Sequence, residues 1–446
     1  MQSDALELLR CPRSDRRLEL QTIGRASDGS IEFGTLTAAG FTYPIVGGIA
    51  MLSPGVDEVT ELVQRQRLRE AVALAALGDV GRSRTLPLLD AVTGLRGVGR
   101  LAGPLARTLR GRERARDVEE LYGSPPGPDV VADPVELLFL GRRHPIPEGF
   151  NYFRYRFGTP RYLVGLALID ALPVPAGAVL DAGCGAGHLL WAIGQRRLNG
   201  PLIGIDPSFA QLLSATRLMP GATFVCGDGT SLPFPDGAFE RAISSDVLPY
   251  VAAKPLAVRE LIRVLGGDGH LVLTALRNAH QEHVHGGEPL SPSDWAGLVS
   301  GLSHVRLMGD DAILDNYLER RGPGDLTGKD ASVSQTVSIV AGHTDPPLYE
   351  RTWETWPHAF GTLAPHPLLR PVRQTPGGTL YQRTFPSATY ASDNRRIVEY
   401  LPEECVIPEL SGAGEGDSEE TASIEALISS VALLGLPAKT IPLPEQ

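Results

Sequence analysis

The stretch that most restricts how this chain can fold is Asp181-Ala-Gly183-Cys-Gly185-Ala-Gly187. It follows the apolar run AVLDA and precedes a helical pattern that reaches Arg196. Glycines at alternate positions between a strand and a helix mark a tight turn. There the backbone can approach a ligand and the helix can pack close to its strand. Such a turn belongs at the carboxyl end of a strand in an open parallel sheet, which is where ligands bind. A dinucleotide-binding turn would read G-x-G-x-x-G, and counted from Gly183 its last position is His188, so that pattern fails. A phosphate-binding P-loop fails as well, because no Gly-Lys-Ser/Thr follows.

Around this turn, short apolar runs alternate with helical patterns, the mark of a sheet built from βαβ units. Leu202 to Asp206 reads as a second strand, with a helix from Ser208. Thr223 to Cys226 is a third and Phe239 to Ser244 a fourth. A helix near Lys254 to Leu265 leads to a strand over His270 to Thr274. Val305 to Met308 and Val333 to Ala341 would form an antiparallel hairpin that closes the sheet.

The D-x-G-x-G-x-G turn is followed in order by Asp206 at the second strand's end, by CGDGTSLPFPDGAFE and by FERAISSDVLPYV. Together these resemble class I S-adenosylmethionine (SAM)-dependent methyltransferases, and RELIRVLGGDGHLVLT is similar to their small-molecule subgroup. The resemblance runs from roughly Phe150 to His343. It implies an α/β fold, a Rossmann-like seven-stranded, mostly parallel sheet with helices on both faces, with SAM as cofactor and methyl transfer as the activity. It further implies cofactor contacts from Asp181, Gly183, Gly185 and Gly187, and from Asp206 to the ribose hydroxyls. Asp228 and Gly229 would meet the adenine, and Ser245 would border the methionine moiety. In FNYFRYRF, Tyr152 and Tyr155 would fold over the cofactor, with Arg154 or Arg156 meeting an anionic group; plain packing of this segment onto the sheet is the alternative.

Methyl transfer from a sulfonium is an in-line displacement, so the protein must align acceptor and methyl and exclude water. Asp246 and Tyr250, just past the fourth strand, are candidates to face the acceptor; a helix cap and a packed aromatic are the plainer readings. The later run Asn278-Ala-His280-Gln-Glu-His283-Val-His285 lacks a second ligand cluster, so no metal is expected. EHVHGGEPLSPSDW resembles a loop of related methyltransferases that borders the acceptor pocket, which implies His283 as general base. An exposed loop histidine is the alternative.

ALELLRCPRSDRRLEL followed by FTYPIVGGIAML resembles a zinc-ribbon-like domain that accompanies and activates some methyltransferases. The family pattern is C-P-x-C, then C-x-x-C-G-x-x-Y-P-I-x-x-G-I. Tyr43-Pro44-Ile45 and Gly48-Ile49 stand in register. Of the four ligand positions only Cys11 is cysteine; the others are Ser14, Leu36 and Ala39. One thiolate cannot hold tetrahedral zinc. Residues 1–55 are therefore expected as a small metal-free α+β domain, an interaction or lid element that would also serve a homodimer. Residues 56–145 read as a mainly helical insert and 146–343 as the methyltransferase domain. Residues 344–446 form a C-terminal extension, with a hairpin turning at Pro376-Gly377-Gly378 and an acidic linker over 409–420.

Cys11, Cys184, Cys226 and Cys405 are scattered, and neither a bilayer-spanning run nor a secretory pattern is present. A cytoplasmic protein with reduced thiols is expected, with no membrane partner. The net charge of -11 counts against nucleic acid as the partner, and Arg96 to Arg116 is the one basic stretch. The pairing of a zinc module with this fold also resembles bacterial ribosomal-RNA guanine methyltransferases. The lost ligands and the acidic balance favour instead a small-molecule or peptide acceptor, as in natural-product tailoring. An RNA methyltransferase and a non-catalytic scaffold are the alternatives.

Overall fold

The computed structural model describes residues 1–68, 70–72, 74–76, 155–196, 200–284, 286–324, 326, 328, 331–348, 355–410 and 418–437. Arg96 to Arg116, Tyr152, Arg154, His285, most of the expected helical insert and part of the acidic linker lie outside them.

The first strands are β1 (Glu19–Arg25), β2 (Ile31–Ala38), β3 (Phe41–Val46) and β4 (Ile49–Met51), followed by helix α1 (Asp57–Gln64). Helix α2 (Pro160–Ala171) then precedes β5 (Val179–Ala182), α3 (His188–Gly194), β6 (Leu202–Asp206), α4 (Phe209–Leu218) and β7 (Thr223–Cys226). After these come β8 (Phe239–Ser245), α5 (Lys254–Val264), β9 (Leu265–Arg277), α6 (Pro292–Leu298), β10 (His304–Gly309), α7 (Asp310–Leu318) and β11 (Thr336–Gly342). One sheet carries all of these strands in the order β1-β2-β3-β4-β7-β6-β5-β8-β9-β11-β10.

That sheet corrects two expectations. It has eleven strands where seven were expected, because the four N-terminal strands continue it. Nor do those strands stand apart as a small domain: β4 pairs in parallel with β7, placing Ile49, Ala50 and Met51 opposite Phe224, Val225 and Cys226. All three β4 residues and all four of β7 are buried. The reason is physical. Without β4, β7 would be an open edge presenting unpaired backbone groups beside apolar side chains.

From β4 to β9 the neighbouring strands across the middle of the sheet run parallel, and β9-β11-β10 close it antiparallel. The four residues of β5 are buried on both faces, as a central parallel strand demands. Helix α2 begins where Thr159 accepts the Tyr162 N–H, with Pro160 in the first turn. Almost every residue of α2 is buried, because the C-terminal region covers the side that would otherwise face water.

That region contributes β12 (Thr362–Pro365), β13 (Leu369–Thr375), β14 (Gly378–Arg383), α8 (Ala388–Asp393), α9 (Ile397–Tyr400), β15 (Glu404–Ile407), α10 (Ser418–Ser429) and β16 (Leu433–Leu436). Strands β13 and β14 form the hairpin, turning between Thr375 and Gly378. The region is anchored to the core through buried polar contacts. His358 Nδ1 lies 2.6 Å from the Tyr317 hydroxyl of α7, and its Nε2 donates to the Ile428 carbonyl at 2.9 Å. Among the described residues, no helix is long and apolar enough to cross a membrane.

Candidate active site

Strand β5 has β6 on one side and β8 on the other, so the chain changes direction across it. The crevice outside the carboxyl ends of such strands is where an open α/β sheet binds ligands. Gly183, Gly185 and Gly187 line it with φ angles of 79°, 53° and 82°, the left-handed region that glycine enters without strain. A Cβ on Gly183 would also stand 2.4 Å from Val247.

Two carboxyl groups face this turn. Asp206, at the end of β6, accepts the Gly185 N–H at 2.9 Å and the Ser208 N–H at 2.8 Å. Asp181 is 2 % exposed and has no side-chain hydrogen bond among the described residues. Burial, reinforced by the charge of Asp206, pushes its carboxyl up to about 7. Beyond β7, the Asp228 carboxylate is exposed and accepts the Thr230 N–H at 2.8 Å. Gly229 beside it has open space where a side chain would be.

The end of β8 forms the other bank. Thr274 Oγ1 donates to Ser245 Oγ at 2.8 Å, and the Asp246 N–H donates to the Thr274 carbonyl at 3.0 Å. Asp246 has φ 59°, an uncommon backbone for a non-glycine residue that aspartate tolerates better than most. Its carboxylate accepts Arg156 Nη1 at 2.9 Å, and both side chains are nearly buried. Tyr250 is about half covered, at 55% exposure; Arg277 donates to its hydroxyl and stacks 4.8 Å from its ring centre. Burial and then Asp246 push the Tyr250 phenol up, against the pull of Arg277 and Arg161, so it is protonated at neutral pH. His283, in the loop after β9, uses Nε2 to donate to the Asn278 carbonyl at 2.9 Å.

The glycine turn therefore brings Asp181 and Asp206 together on one bank, while Ser245, Asp246 and Tyr250 form the other. Tyr155 differs from its expected place over an open crevice. It is buried, its hydroxyl accepts Arg370 Nη2 at 2.7 Å, and its ring meets Tyr390 edge-on at 5.6 Å. Sequence reasoning missed Arg161, Arg277 and Asp393. Arg277 closes β9, and its strand-end position was the available signal. Arg161 and Asp393 pair across 232 residues, which no local pattern encodes.

The chain matches the family profile described as "Methyltransferase domain" over residues 180–273. It is 32% identical over 197 residues to an uncharacterized methyltransferase of Mycobacterium sp. (strain JLS), covering 42% of this chain and 70% of that protein. It is 33% identical over 118 residues to the malonyl-[acyl-carrier protein] O-methyltransferase of Erwinia pyrifoliae, covering 26% of this chain and 44% of the relative. The TehB-like SAM-dependent methyltransferase of Corynebacterium glutamicum is similar at 20% identity and TM-score 0.31, over 40% of this chain and 88% of that one. The chain spans about half the length of the first curated relatives it matches.

Proposed function

This chain belongs to the SAM-dependent methyltransferases, and we propose that it methylates a small-molecule or peptide acceptor held at the carboxyl edge of β8 and β9. The observation that carries this reading is Asp181, a buried carboxyl with no side-chain hydrogen bond among the described residues, beside a second carboxylate at a glycine turn. A buried polar group left unpaired is costly, so such a place suits a ligand that donates hydrogen bonds or carries positive charge. SAM fits on both counts. When bound, it supplies an electrophilic methyl on a sulfonium.

The remaining roles follow from position. Asp206 accepts hydrogen bonds from vicinal hydroxyls, and the glycine turn admits the nucleoside close to the backbone. Asp228 and Gly229, with the space around them, suit the base, and Ser245 borders the reacting end. On the acceptor side, Asp246, Tyr250 and His283 surround the transfer position. The donation from His283 Nε2 fixes that tautomer and leaves Nδ1 as its basic nitrogen, able to take a proton from an acceptor. Alignment and exclusion of water supply most of the acceleration in such a displacement. Natural-product tailoring is the role that best suits a chain of net charge -11.

Calorimetric titration of SAM into the protein and its Asp206→Ala variant tests this reading. Loss of a charged hydrogen-bond acceptor should weaken binding by about 1.5–3 kcal/mol. Absence of binding to the folded, cofactor-free protein would instead favour a scaffold that uses the fold without its chemistry.

A further inference from the structure

Residues Tyr155 to Arg161 touch both banks of the crevice. Phe157 meets His188 and Trp191 edge-on, with ring centres 4.8 and 5.4 Å apart, on the helix that leaves the glycine turn. The preceding residue, Arg156, bonds Asp246 on the far bank. A span of a few residues thus bridges the place where the reacting groups would meet.

The C-terminal region grips this span from outside. Arg370 donates to the Tyr155 hydroxyl at 2.7 Å, and the Tyr400 hydroxyl donates to the Gly158 carbonyl at 2.8 Å. Arg161 makes a two-pronged pair with Asp393, with bonds of 2.7 and 2.8 Å. Both side chains are mostly buried, and the fork geometry fixes orientation as well as distance. Asp246 and Asp310 are further carboxylates whose charge interacts with that of Arg161. Released from Asp393, Arg161 would compete with Arg156 for Asp246. A cavity of about 40 Å³ also lies beside the pair, with Asp310 and Asp311 in its wall, so the guanidinium has space on that side once the fork is lost.

We propose that Asp393 is a positioning residue for methyl transfer: by holding Arg161 it keeps residues 155–161 across the crevice and Arg156 on Asp246. This rests on the cofactor-binding reading above. An ion pair that merely anchored α8 would explain the distances too, but not the bridging of both banks by the residues it holds.

The test uses the full chain with Asp393→Asn and Asp393→Glu, following hydrogen exchange by peptide and SAM affinity by calorimetry. Asp393→Asn should raise exchange across residues 155–171. It should weaken SAM binding about tenfold if the span is correctly placed a tenth of the time. Asp393→Glu should restore both. Should Asp393→Asn fail to fold, Arg161→Lys keeps the charge, loses the fork and should show the same two changes in weaker form. Faster exchange confined to residues 388–401, with unchanged SAM affinity, would overturn the proposal. Were the wild-type protein itself not to bind SAM, the proposed function would fall. The exchange comparison would still show whether Asp393 governs residues 155–171.

Discussion

Arg156 and Asp246 lie 90 residues apart in sequence, yet the guanidinium of one donates to the carboxylate of the other at 2.9 Å with little solvent around either. The pair joins the segment ahead of α2 to the end of β8. Each charge offsets part of the cost of burying the other.

Removing one partner should therefore cost more than removing both. Arg156→Met leaves the nearly buried Asp246 carboxylate without its hydrogen-bonded partner, and should destabilise the protein by about 3–5 kcal/mol in urea unfolding. The double variant Arg156→Met with Asp246→Leu should recover a large part of that loss. Equal losses in the single and double variants would mean that the ion pair is not coupled.

Binding of a cationic cofactor beside Asp181 should expel a proton. The Asp181 carboxyl sits near 7 in the free protein, so at neutral pH it is partly protonated. A ligand that favours the carboxylate should shift it down, making affinity rise with pH through that range. Calorimetry at pH 7 in phosphate and in Tris buffers should give binding enthalpies that differ by the buffers' ionisation heats. Identical enthalpies would place the cofactor's charge away from Asp181.

Stability between pH 4 and 6 should change little through four buried groups that oppose one another. Asp181 and Asp310 are raised to about 7 and about 6, mainly by burial. Their contribution is fully present below the ordinary carboxyl value and is lost as pH rises through these folded values. His358 and His366 are lowered to about 4 and about 3 by burial, so their contribution is present above 6.5 and is lost as pH falls. Each titration is worth about 1.4 kcal/mol per pH unit within its window, and two oppose two. Asp310→Asn should leave a net rise in stability with pH of about 1.4 kcal/mol per unit, visible in urea unfolding at pH 4.5 and 5.5. A slope unchanged from wild type would show that Asp310 titrates like an ordinary carboxylate.

Gly158→Ala should harm the contact between the C-terminal region and the core. Its Cβ would lie 1.9 Å from His366 Nε2, and that imidazole is itself buried between the two. Overpacking of this kind costs about 1–3 kcal/mol. The decisive measurement is limited proteolysis, which should cut the C-terminal region faster in the variant than in the parent protein.

The parts of the fold visible in the sequence are those encoded locally. The run AVLDA, the glycine turn and the apolar segments after it each announce a strand or a turn within a few residues, and β5 to β9 follow them. Asp206 and Asp246 could be singled out because the strand ends that carry them resemble the corresponding segments of class I methyltransferases. The union of β4 with β7 was not visible, since three apolar residues, Ile49 to Met51, suit a separate small sheet equally well. The grip of the C-terminal region on Tyr155, Gly158 and Arg161 was hidden for another reason. Each contact joins residues more than 200 positions apart, and neither partner has an unusual neighbourhood in sequence.

The parallel join of β4 to β7 has a consequence for where this protein can be cut. The match to the methyltransferase family profile begins at residue 180, and a boundary drawn near there looks natural by likeness alone. An excised piece starting at that point would expose the whole outer rim of β7, a flat parallel strand of buried residues with no bulge, proline or lysine to discourage another chain from docking. Such a fragment would be adhesive, apt to recruit its own copies in place of the missing ribbon. For this molecule the segment recognisable by family likeness and the sheet that covers its edge are different objects, and the second includes the first fifty or so residues.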